Sequence, residues 1–203
     1  MNLSASILAV GSELLGTTRV DTNSLHLTGE LEAIGIPVVR KACVRDGWDD
    51  LLAELRFALE RASLLVVTGG LGPTEDDRTK EAVAHLLGRR LLRDEAILDG
   101  LRERWRKRGR EMPRVNAKQA DVIEGAEALP NAPGTAPGQA LEAGGKLLVL
   151  LPGPPGEMKP MFDEQVLPRL RARAGATRVV IRRVLRIAAM PESEVDEIAA
   201  PVY

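Results

Sequence analysis

Short apolar runs alternate with amphipathic stretches along the first half of the chain. The run at residues 64–67 is apolar and short, which predicts a strand that is buried on both faces, and residues 6–10 and 38–44 are predicted as two further strands. Apolar side chains recur with helical spacing in three further stretches, at residues 23–34, 48–62 and 80–87. Strand and helix therefore alternate three times, and this order predicts a parallel sheet with helices on both faces.

The second half of the chain is predicted to add helices, a loop and a strand. Residues 94–107 are amphipathic, with arginines on a face interpreted as solvated, and residues 114–122 are predicted as a further helical piece. Residues 129–139 are rich in proline and glycine and predict a rigid loop, and residues 147–151 form an apolar strand. The proline and glycine turn that follows opens a helix that is predicted to end near Ala172.

From residue 177 the pattern changes. Residues 177–189 have a β-like pattern with arginines on the polar face, and Pro191 opens a short helix that is predicted to end at Tyr203. A strand and one short helix bury little surface by themselves. We therefore predict a main domain over residues 1–172 and the start of a second, incomplete domain over residues 173–203.

Composition narrows the class of protein. Lys and Arg number 28 against 29 Asp and Glu, so no global charge draws the chain toward nucleic acid or a membrane. Cys43 is the single cysteine and is interpreted as core packing. With one cysteine, an internal disulfide framework and a Cys/His zinc site are excluded. A reducing, cytoplasmic location is expected. The sequence shows no secretory signal and no run of the roughly 18 apolar residues that a membrane span requires.

The stretch at residues 64–80 carries the candidate chemistry. Three glycines follow its apolar run, at Gly69, Gly70 and Gly72, and glycine lets another molecule approach the bare backbone. Polar and acidic residues come next, before a predicted helix. A strand, a glycine-rich turn and a helix N-terminus together place backbone N–H groups where an anion can bind.

The acidic residues beside that turn allow two interpretations. Glu75, Asp76 and Asp77 would repel a phosphate unless a cation bridges them, which predicts a metal-assisted phosphoanhydride site. An acidic first turn is also ordinary chemistry for a helix N-terminus, since the helix dipole and capping favour it. This stretch alone leaves both interpretations open.

Five turns are predicted to lie at the carboxyl ends of the strands, where doubly wound sheets bind ligands. They comprise residues 11–16, 45–47, 68–77, 131–138 and 152–157. Asp46 follows the second strand and Asp77 the third, so both are predicted to approach one cation. Two carboxylates, substrate phosphate oxygens and water form a coordination that Mg²⁺ prefers.

Four motifs in order carry a family resemblance. They are VGSELLG at residues 10–16 with DTN at 21–23, GGLGPTEDDRT at 69–79, PNAPGTAPG at 130–138 and LPGPPGEM at 151–158. Over about residues 1–172 the chain resembles the CinA family of competence/damage-inducible proteins. The N-terminal domain of that family is similar to the molybdenum-cofactor-biosynthesis domain of MogA and MoaB. The remainder resembles the opening of the KH-like segment that follows this domain.

The resemblance implies a three-layer α/β/α sandwich with a mostly parallel sheet. It also implies an activity, the metal-dependent hydrolysis of ADP-ribose at its pyrophosphate to give AMP and ribose 5-phosphate. Asp77 matches the functionally important aspartate of the family's Gly-Gly-x-Gly motif, and Asp46 matches the aspartate after the second strand. CinA proteins usually place a small or polar residue beside the latter, whereas Arg45 and Gly47 flank it here.

The predicted mechanism gives each loop a task. Asp46 and Asp77 are predicted to hold a divalent cation, Mg²⁺ or similar, with Asp76 or Glu75 as a further ligand or water-orienting group. Thr74 is predicted to add a hydroxyl donor to the backbone N–H groups that hold phosphate. Predicted substrate-binding residues lie in or beside the turns: Gly11, Glu13, Asn23, Thr68, Gly69, Gly70, Gly72, Asn131, Gly134, Thr135, Gly138, Pro152, Gly153 and Glu157.

Two other functions remain open from the sequence. One is adenylyl transfer to molybdopterin on the same scaffold. The other is binding without catalysis, of a nucleotide or pterin, or of nucleic acid through the KH-like remainder. A nucleotide-type small molecule is the expected partner, while a membrane or nucleic acid is not. Related domains also predict a homo-oligomer, either a dimer or a trimer.

Overall fold

Six strands form the central sheet of the computed structural model, which describes residues 3–175 and 184–202. The strands of these residues are β1 (Ala5–Val10), β2 (Val38–Val44), β3 (Leu64–Thr68), β4 (Leu91–Arg93), β5 (Asp121–Ile123), β6 (Glu127–Leu129), β7 (Gly138–Ala143) and β8 (Lys146–Leu151). The sheet order is β2-β1-β3-β8-β7-β6, and β4 pairs with β5 in a separate ribbon. Strands β2, β1, β3 and β8 are parallel, whereas β7 runs antiparallel to both of its neighbours.

Helices cover both faces of this sheet. They are α1 (Thr22–Ala33), α2 (Trp48–Arg61), α3 (Thr79–Leu87), α4 (Glu95–Lys107), α5 (Pro155–Met161), α6 (Leu167–Ala174) and α7 (Glu192–Ala199). A π-turn at Phe162–Val166 joins α5 to α6, so the two form one bulged helix. Within the described ranges, no helix has the length and apolarity needed to cross a membrane.

Two apolar layers hold the helices to the sheet. Leu8 and Val67 face α2 and α3, whereas Ile7 and Val66 face α1, α5 and α6. All four side chains are at most 1% exposed. Full burial of such a side chain contributes about 1.5–3 kcal/mol, so alternate residues of each central strand stabilise opposite layers. The predicted three-layer α/β fold with a mostly parallel sheet is confirmed.

Four strands are not predicted from the sequence: the short strands β4, β5 and β6, and β7, which has six residues and begins inside the predicted loop at residues 129–139. β4, β5 and β6 have three residues each, too few for a two-residue period to be visible. The predicted helical piece at residues 114–122 is instead a 3-10 turn at Arg114–Ala120 that runs into β5. Lys80 donates a hydrogen bond to the carbonyl oxygen of Lys118, so a distant side chain contributes to fixing this turn.

A side chain completes the edge of the sheet beyond β6. This strand pairs only with residues 138–140 of β7. Further along, Arg89 donates from Nη2 to Glu142 O at 2.8 Å and from Nη1 to Glu124 O at 3.0 Å. The guanidinium therefore takes the carbonyl that a longer β6 would use.

The C-terminal residues leave most of their apolar side chains exposed. Residues 184–190 form neither helix nor strand, so the strand predicted at residues 177–189 is absent over residues 184–189, and residues 177–183 lie outside the described ranges. The helix predicted after Pro191 is confirmed as α7, with a 3-10 turn after it. Leu185 and Ile198 are 85% and 64% exposed. The domain boundary at residue 172 stays a prediction.

Candidate functional site

The five predicted turns lie at one edge of the sheet. Those after β1, β2, β3 and β8 leave the carboxyl ends of parallel strands. The proline loop (residues 130–137) leaves β6, which runs parallel to β8 because both are antiparallel to β7. Such an edge is where this class of sheet binds ligands.

The glycine loop (residues 69–77) needs glycine at its start. Gly69 and Gly70 have φ angles of +94° and +66°, a left-handed conformation that is costly for other residues. A Cβ at Gly69 would collide with Val10 O, and one at Gly70 would collide with Thr79 Oγ1. Thr79 Oγ1 in turn donates to Gly69 O at 2.9 Å. The first residue of α3 thus holds the turn against the sheet.

Asp77 folds back onto the same loop. Its Oδ2 accepts from Thr74 N at 2.9 Å and from Thr74 Oγ1 at 2.5 Å. A Cβ at Gly72 would stand 2.5 Å from this oxygen, so the glycine makes room for the carboxylate. Thr74, Glu75 and Asp76 are exposed. Asp77 therefore caps the turn through Oδ2, and both hydrogen bonds from Thr74 go to this oxygen rather than to Oδ1.

Asp46 makes the corresponding contact with the loop after β1. Its Oδ2 accepts from Ser12 N at 2.9 Å and from Ser12 Oγ at 2.8 Å. β2 and β3 both pair with β1, so the loops that carry Asp46 and Asp77 start about 10 Å apart. The two aspartates share an edge of the sheet, and their binding of one cation stays a prediction.

The carboxylates at this edge do not form a closed metal cage. Among the residues that the structure describes, no group of three or more His, Cys, Asp or Glu side chains is placed to hold a metal ion. Mg²⁺ usually keeps several waters and binds one or two carboxylates together with substrate phosphates. Asp46 and Asp77 suit that shared coordination rather than an ion held by side chains alone.

A cleft of about 270 Å³ opens between the loops after β1 and β8 and the end of β3. Four predicted substrate-binding residues line it: Glu13, Asn23, Thr68 and Gly153. Asn23 is 7% exposed and donates from Nδ2 to Gly153 O at 2.7 Å, while its buried Oδ1 has no hydrogen-bond partner. An unpaired buried acceptor is costly, so a hydrogen-bond donor of a ligand would stabilise this side chain.

Arg19 and Asp21 also line this cleft, although neither is among the predicted site residues. Asp21 Oδ1 accepts from Ser24 N at 3.0 Å and caps α1. Its Oδ2 lies 3.8 Å from Cys43 Sγ. Burial, and then the charge of Asp21, raises the pKa of the Cys43 thiol. A raised pKa keeps the thiol protonated near neutral pH and therefore weakly nucleophilic.

Comparison with known proteins identifies the family. Residues 6–172 match the family model described as a probable molybdopterin binding domain. A CinA-like protein of Solibacter usitatus is 48% identical over 201 residues, which cover 99% of this chain and 48% of that protein. The crystal structure of CinA from Thermoplasma acidophilum is 35% identical, with a TM-score of 0.74, and the match covers 79% of this chain and 94% of that one. The chain belongs to the CinA family.

Its main domain has the molybdopterin-binding type of fold. MoaB from Thermus thermophilus, a molybdopterin biosynthesis enzyme, matches with a TM-score of 0.55 at 24% identity, over 88% of this chain and 99% of that one. At that identity the likeness shows the fold alone. This CinA-family chain also spans about half the length of the curated relatives it matches.

The proline loop of this CinA-family domain is held largely by its own polar side chains. Asn131 donates from Nδ2 to Ala136 O at 2.8 Å and to Glu157 Oε2 at 2.7 Å, and its Oδ1 accepts from Gly134 N at 2.9 Å. A Cβ at Gly134 would collide with the Glu157 carboxylate. Three predicted substrate-binding residues thus build the loop itself, and their contact with a substrate stays a prediction.

Two residues that the sequence does not single out fasten this loop from outside. Arg104 donates to Asn131 O at 2.9 Å and also to Gly134 O. Gln119 Nε2 donates to Thr135 Oγ1 at 3.0 Å. The sequence places Arg104 on an arginine-rich helix face that is interpreted as solvated. Its actual function in the CinA-family fold depends on a contact about 30 positions away, for which the local pattern gives no signal.

Three predicted site residues are buried at the ends of strands. A Cβ at Gly138, the first residue of β7, would meet Met161 Sδ at 2.5 Å and Leu150 O at 2.7 Å. Pro152 is buried directly after β8, and Gly11 is buried after β1. Whether these residues contact a ligand stays a prediction, because their burial is explained without one.

A larger cleft, of about 700 Å³, lies away from the carboxyl edge. Val149 of the sheet and Arg169 and Arg173 of α6 contribute to its walls. Arg169 pairs with Glu127, and Arg173 pairs with Glu142. Both arginines are therefore already paired with a carboxylate, and the predicted site residues lie outside this cleft. We therefore place the candidate site at the carboxyl edge, where the CinA-family motifs meet.

Proposed function

We propose that this CinA-family domain hydrolyses the pyrophosphate bond of ADP-ribose, or of a related nucleoside diphosphate compound, with the help of a divalent metal ion. The observation that carries the proposal is the glycine loop. Left-handed Gly69 and Gly70 turn the chain sharply at its start, and Asp77 is held on the same loop by Thr74. A carboxylate beside a phosphate-ready turn suits a substrate that brings both an anion and a cation.

The reaction needs water as its only co-substrate. The water oxygen forms a bond to one phosphorus while the bond from that phosphorus to the bridging oxygen breaks. AMP and ribose 5-phosphate are the products, and the water protons pass to the products and the solvent. Backbone N–H groups of the glycine loop would orient the phosphate oxygens for this displacement. The Thr74 hydroxyl donates to Asp77 instead of to phosphate, so its part would be to hold that carboxylate in place.

Asp46 and Asp77 are the residues that would hold the metal. When bound, Mg²⁺ or a similar ion neutralises charge on the diphosphate and lowers the pKa of a coordinated water. The cleft lined by Glu13, Asn23 and Thr68 would then receive the nucleoside or ribose part of the substrate. The unpaired Asn23 Oδ1 supports this placement because it can accept from a sugar hydroxyl or a base amino group.

A product assay tests this function. The purified chain is incubated with ADP-ribose and a panel of nucleoside diphosphate compounds, with Mg²⁺ and with a chelator, and the nucleotide products are separated. We expect AMP from ADP-ribose only when metal is present. Turnover that persists in chelator would contradict the metal, and no turnover on the whole panel would contradict the hydrolysis.

The Asp77→Asn variant tests the site itself. This change keeps the shape and one acceptor oxygen for Thr74 but removes the charge. We expect kcat to fall by about 100-fold or more, because a charged metal ligand is lost. Asp99→Asn on α4 is the matched control, since this exposed carboxylate pairs with Arg102 in the same helix. Equal activity of the two variants would remove Asp77 from the mechanism.

Adenylyl transfer to molybdopterin is the second candidate. It is supported by the family model, whose description is a probable molybdopterin binding domain, and by the fold likeness to MoaB. Incubation with ATP and molybdopterin would then release pyrophosphate. Binding of nucleotide or pterin with no product in either assay would instead favour a non-catalytic module. A dimer or trimer is the expected assembly, which sedimentation equilibrium would measure.

A further inference from the structure

A lysine that the predicted mechanism does not use lies beside the glycine loop. Lys118 belongs to the 3-10 turn Arg114–Ala120, and its Nζ donates to Thr74 O at 2.8 Å. The same ammonium lies 3.3 Å from Glu81 Oε1, in the first turn of α3. A positive charge therefore sits directly at the turn that also carries Thr74 and Asp77.

A second lysine holds the backbone of the first. Lys80 is 1% exposed, and its Nζ donates to Lys118 O at 2.7 Å and to Asp121 O at 3.1 Å. A buried ammonium that donates to main-chain carbonyls fixes their position, because moving them would leave a charge without partners. Lys80 thus fixes the point from which the side chain of Lys118 extends.

The neighbour of Lys118 fastens the same turn to the proline loop. Gln119 is 2% exposed and donates from Nε2 to Thr135 Oγ1 at 3.0 Å. The turn Arg114–Ala120 is therefore attached to both loops of the candidate site, to one through Lys118 and to the other through Gln119. A side chain on this turn is held at a defined distance from both.

Acidic side chains make the glycine loop negative beside this cation. Glu75 and Asp76 are exposed there, and Asp77 adds a third carboxylate. An ammonium group has three N–H donors, and the two contacts of Lys118 account for two of them. One donor is left to meet an anion, and the side chain of Lys118 is 23% exposed, so solvent and ligands can reach it.

We propose that Lys118 is a phosphate-binding residue of this site, which donates a hydrogen bond from Nζ to an oxygen of the substrate diphosphate. Lys80 is the positioning residue that keeps Lys118 beside the glycine loop. The proposal rests on the proposed function, because it takes a diphosphate compound as the ligand. Under this proposal the substrate diphosphate contacts two positive charges, the ammonium of Lys118 and the metal ion.

Binding of inorganic pyrophosphate in the presence of Mg²⁺ is the first measurement, by isothermal titration calorimetry. Lys118→Met should weaken binding roughly tenfold to a hundredfold, which is typical of losing one charge-assisted hydrogen bond. Lys118→Arg should restore part of the affinity, since it keeps the charge. Arg114→Met is the matched control. It removes an exposed cation of the same turn that does not contact the glycine loop, and it should bind as the wild type does.

Glu81→Gln separates phosphate binding from a structural function of Lys118. It frees the ammonium from its ion pair but leaves the bond to Thr74 O, so pyrophosphate affinity should be equal to or higher than that of the wild type. If Lys118 only holds the loop in place, Lys118→Met should lower the thermal midpoint without changing pyrophosphate affinity beyond twofold. That result would overturn the proposal, as would equal losses in Lys118→Met and Arg114→Met.

Steady-state kinetics with ADP-ribose distinguish this proposal from the proposed function. A wild-type chain that binds pyrophosphate through Lys118 but hydrolyses nothing would refute the hydrolysis and support the phosphate contact. A wild-type chain that hydrolyses ADP-ribose, with unchanged KM and kcat in Lys118→Met, would support the hydrolysis and refute the contact.

Discussion

The two principal loops of the candidate site are built in different ways. The glycine loop is held by its backbone and by short contacts, such as Thr79 to Gly69 and Thr74 to Asp77. The proline loop is held by polar side chains, above all Asn131 with Glu157, and by Arg104 from α4. One loop therefore keeps Thr74 and its acidic neighbours exposed, while the other buries its polar groups in its own structure.

This difference indicates which loop contributes to activity and which contributes to stability. Side chains that are exposed on a rigid backbone can react or bind without weakening the fold. Side chains that satisfy buried partners cannot be changed without leaving those partners unpaired. We expect substitutions in the glycine loop beyond its glycines to affect activity, and substitutions in the proline loop to affect stability first.

The largest effect is expected at Lys80, which lies beneath the turn that connects the two loops. Burial lowers its pKa from 10.5 to about 8. Between those pH values the unfolded chain binds more protons than the folded one, so stability rises with pH in that window. This lowering of the Lys80 pKa corresponds to a change of about 3 kcal/mol in the free energy of unfolding.

Urea unfolding of the wild type and of Lys80→Met, measured from pH 7 to pH 10.5, checks this. The free energy of unfolding of the wild type should rise relative to that of the variant by up to about 3 kcal/mol across the window. Below pH 7 the difference between the two should be constant. Parallel curves over the whole range would mean that Lys80 keeps its ordinary pKa.

The next largest effect is expected at Gly70, where the glycine loop depends on its backbone. Gly70→Ala introduces a Cβ in a left-handed conformation and against Thr79 Oγ1, so we expect a loss of about 2–3 kcal/mol of stability. Gly156→Ala is the control, because a Cβ there meets no atom within 4 Å and Gly156 lies in α5. Chemical denaturation of both variants measures this loss. Equal free energies of unfolding for Gly70→Ala and Gly156→Ala would contradict the expected strain at Gly70.

Asn131→Ala should cost about 2 kcal/mol of stability, because it leaves the partners of three hydrogen bonds in the proline loop unpaired. The free energy of unfolding is the measurement. A change below about 0.5 kcal/mol would show that the loop does not depend on its side chains, and the comparison between the loops would fail.

The smallest effect on stability is expected at Thr74. Thr74→Val removes the hydroxyl bond to Asp77 at an exposed position, so the free energy of unfolding should change by less than about 1 kcal/mol. The same variant should lower turnover of ADP-ribose by about tenfold, since the hydroxyl holds the Asp77 carboxylate in the proposed mechanism. Full activity would remove Thr74 from the site.

The fold was largely predictable from the sequence because its main elements carry their own signals. The apolar runs of β1, β3 and β8 are largely buried, and α2 buries an apolar stripe through Leu51, Leu55 and Ala58. The three-residue strands carry no such signal, and the six-residue strand β7 is not predicted either. β6 has three residues, and its place is set by pairing with β7.

The site was predictable in position but not in its internal contacts. Glycine and proline placed the loops at one edge, since these residues determine local backbone geometry. The contacts of Arg104 and Lys118 depend on partners 27 to 44 positions away. A single sequence does not show whether a lysine or arginine is solvated or makes such a long-range contact, because only tertiary packing distinguishes the two cases.

The guanidinium of Arg89 also bears on how copies of this protein meet one another. An open strand end beyond β6 would offer a template for a second molecule to add its own strand and extend the sheet between molecules. Arg89 blocks that growth by taking the Glu142 carbonyl from within the same chain. That carbonyl is therefore not open to the strand of a second molecule.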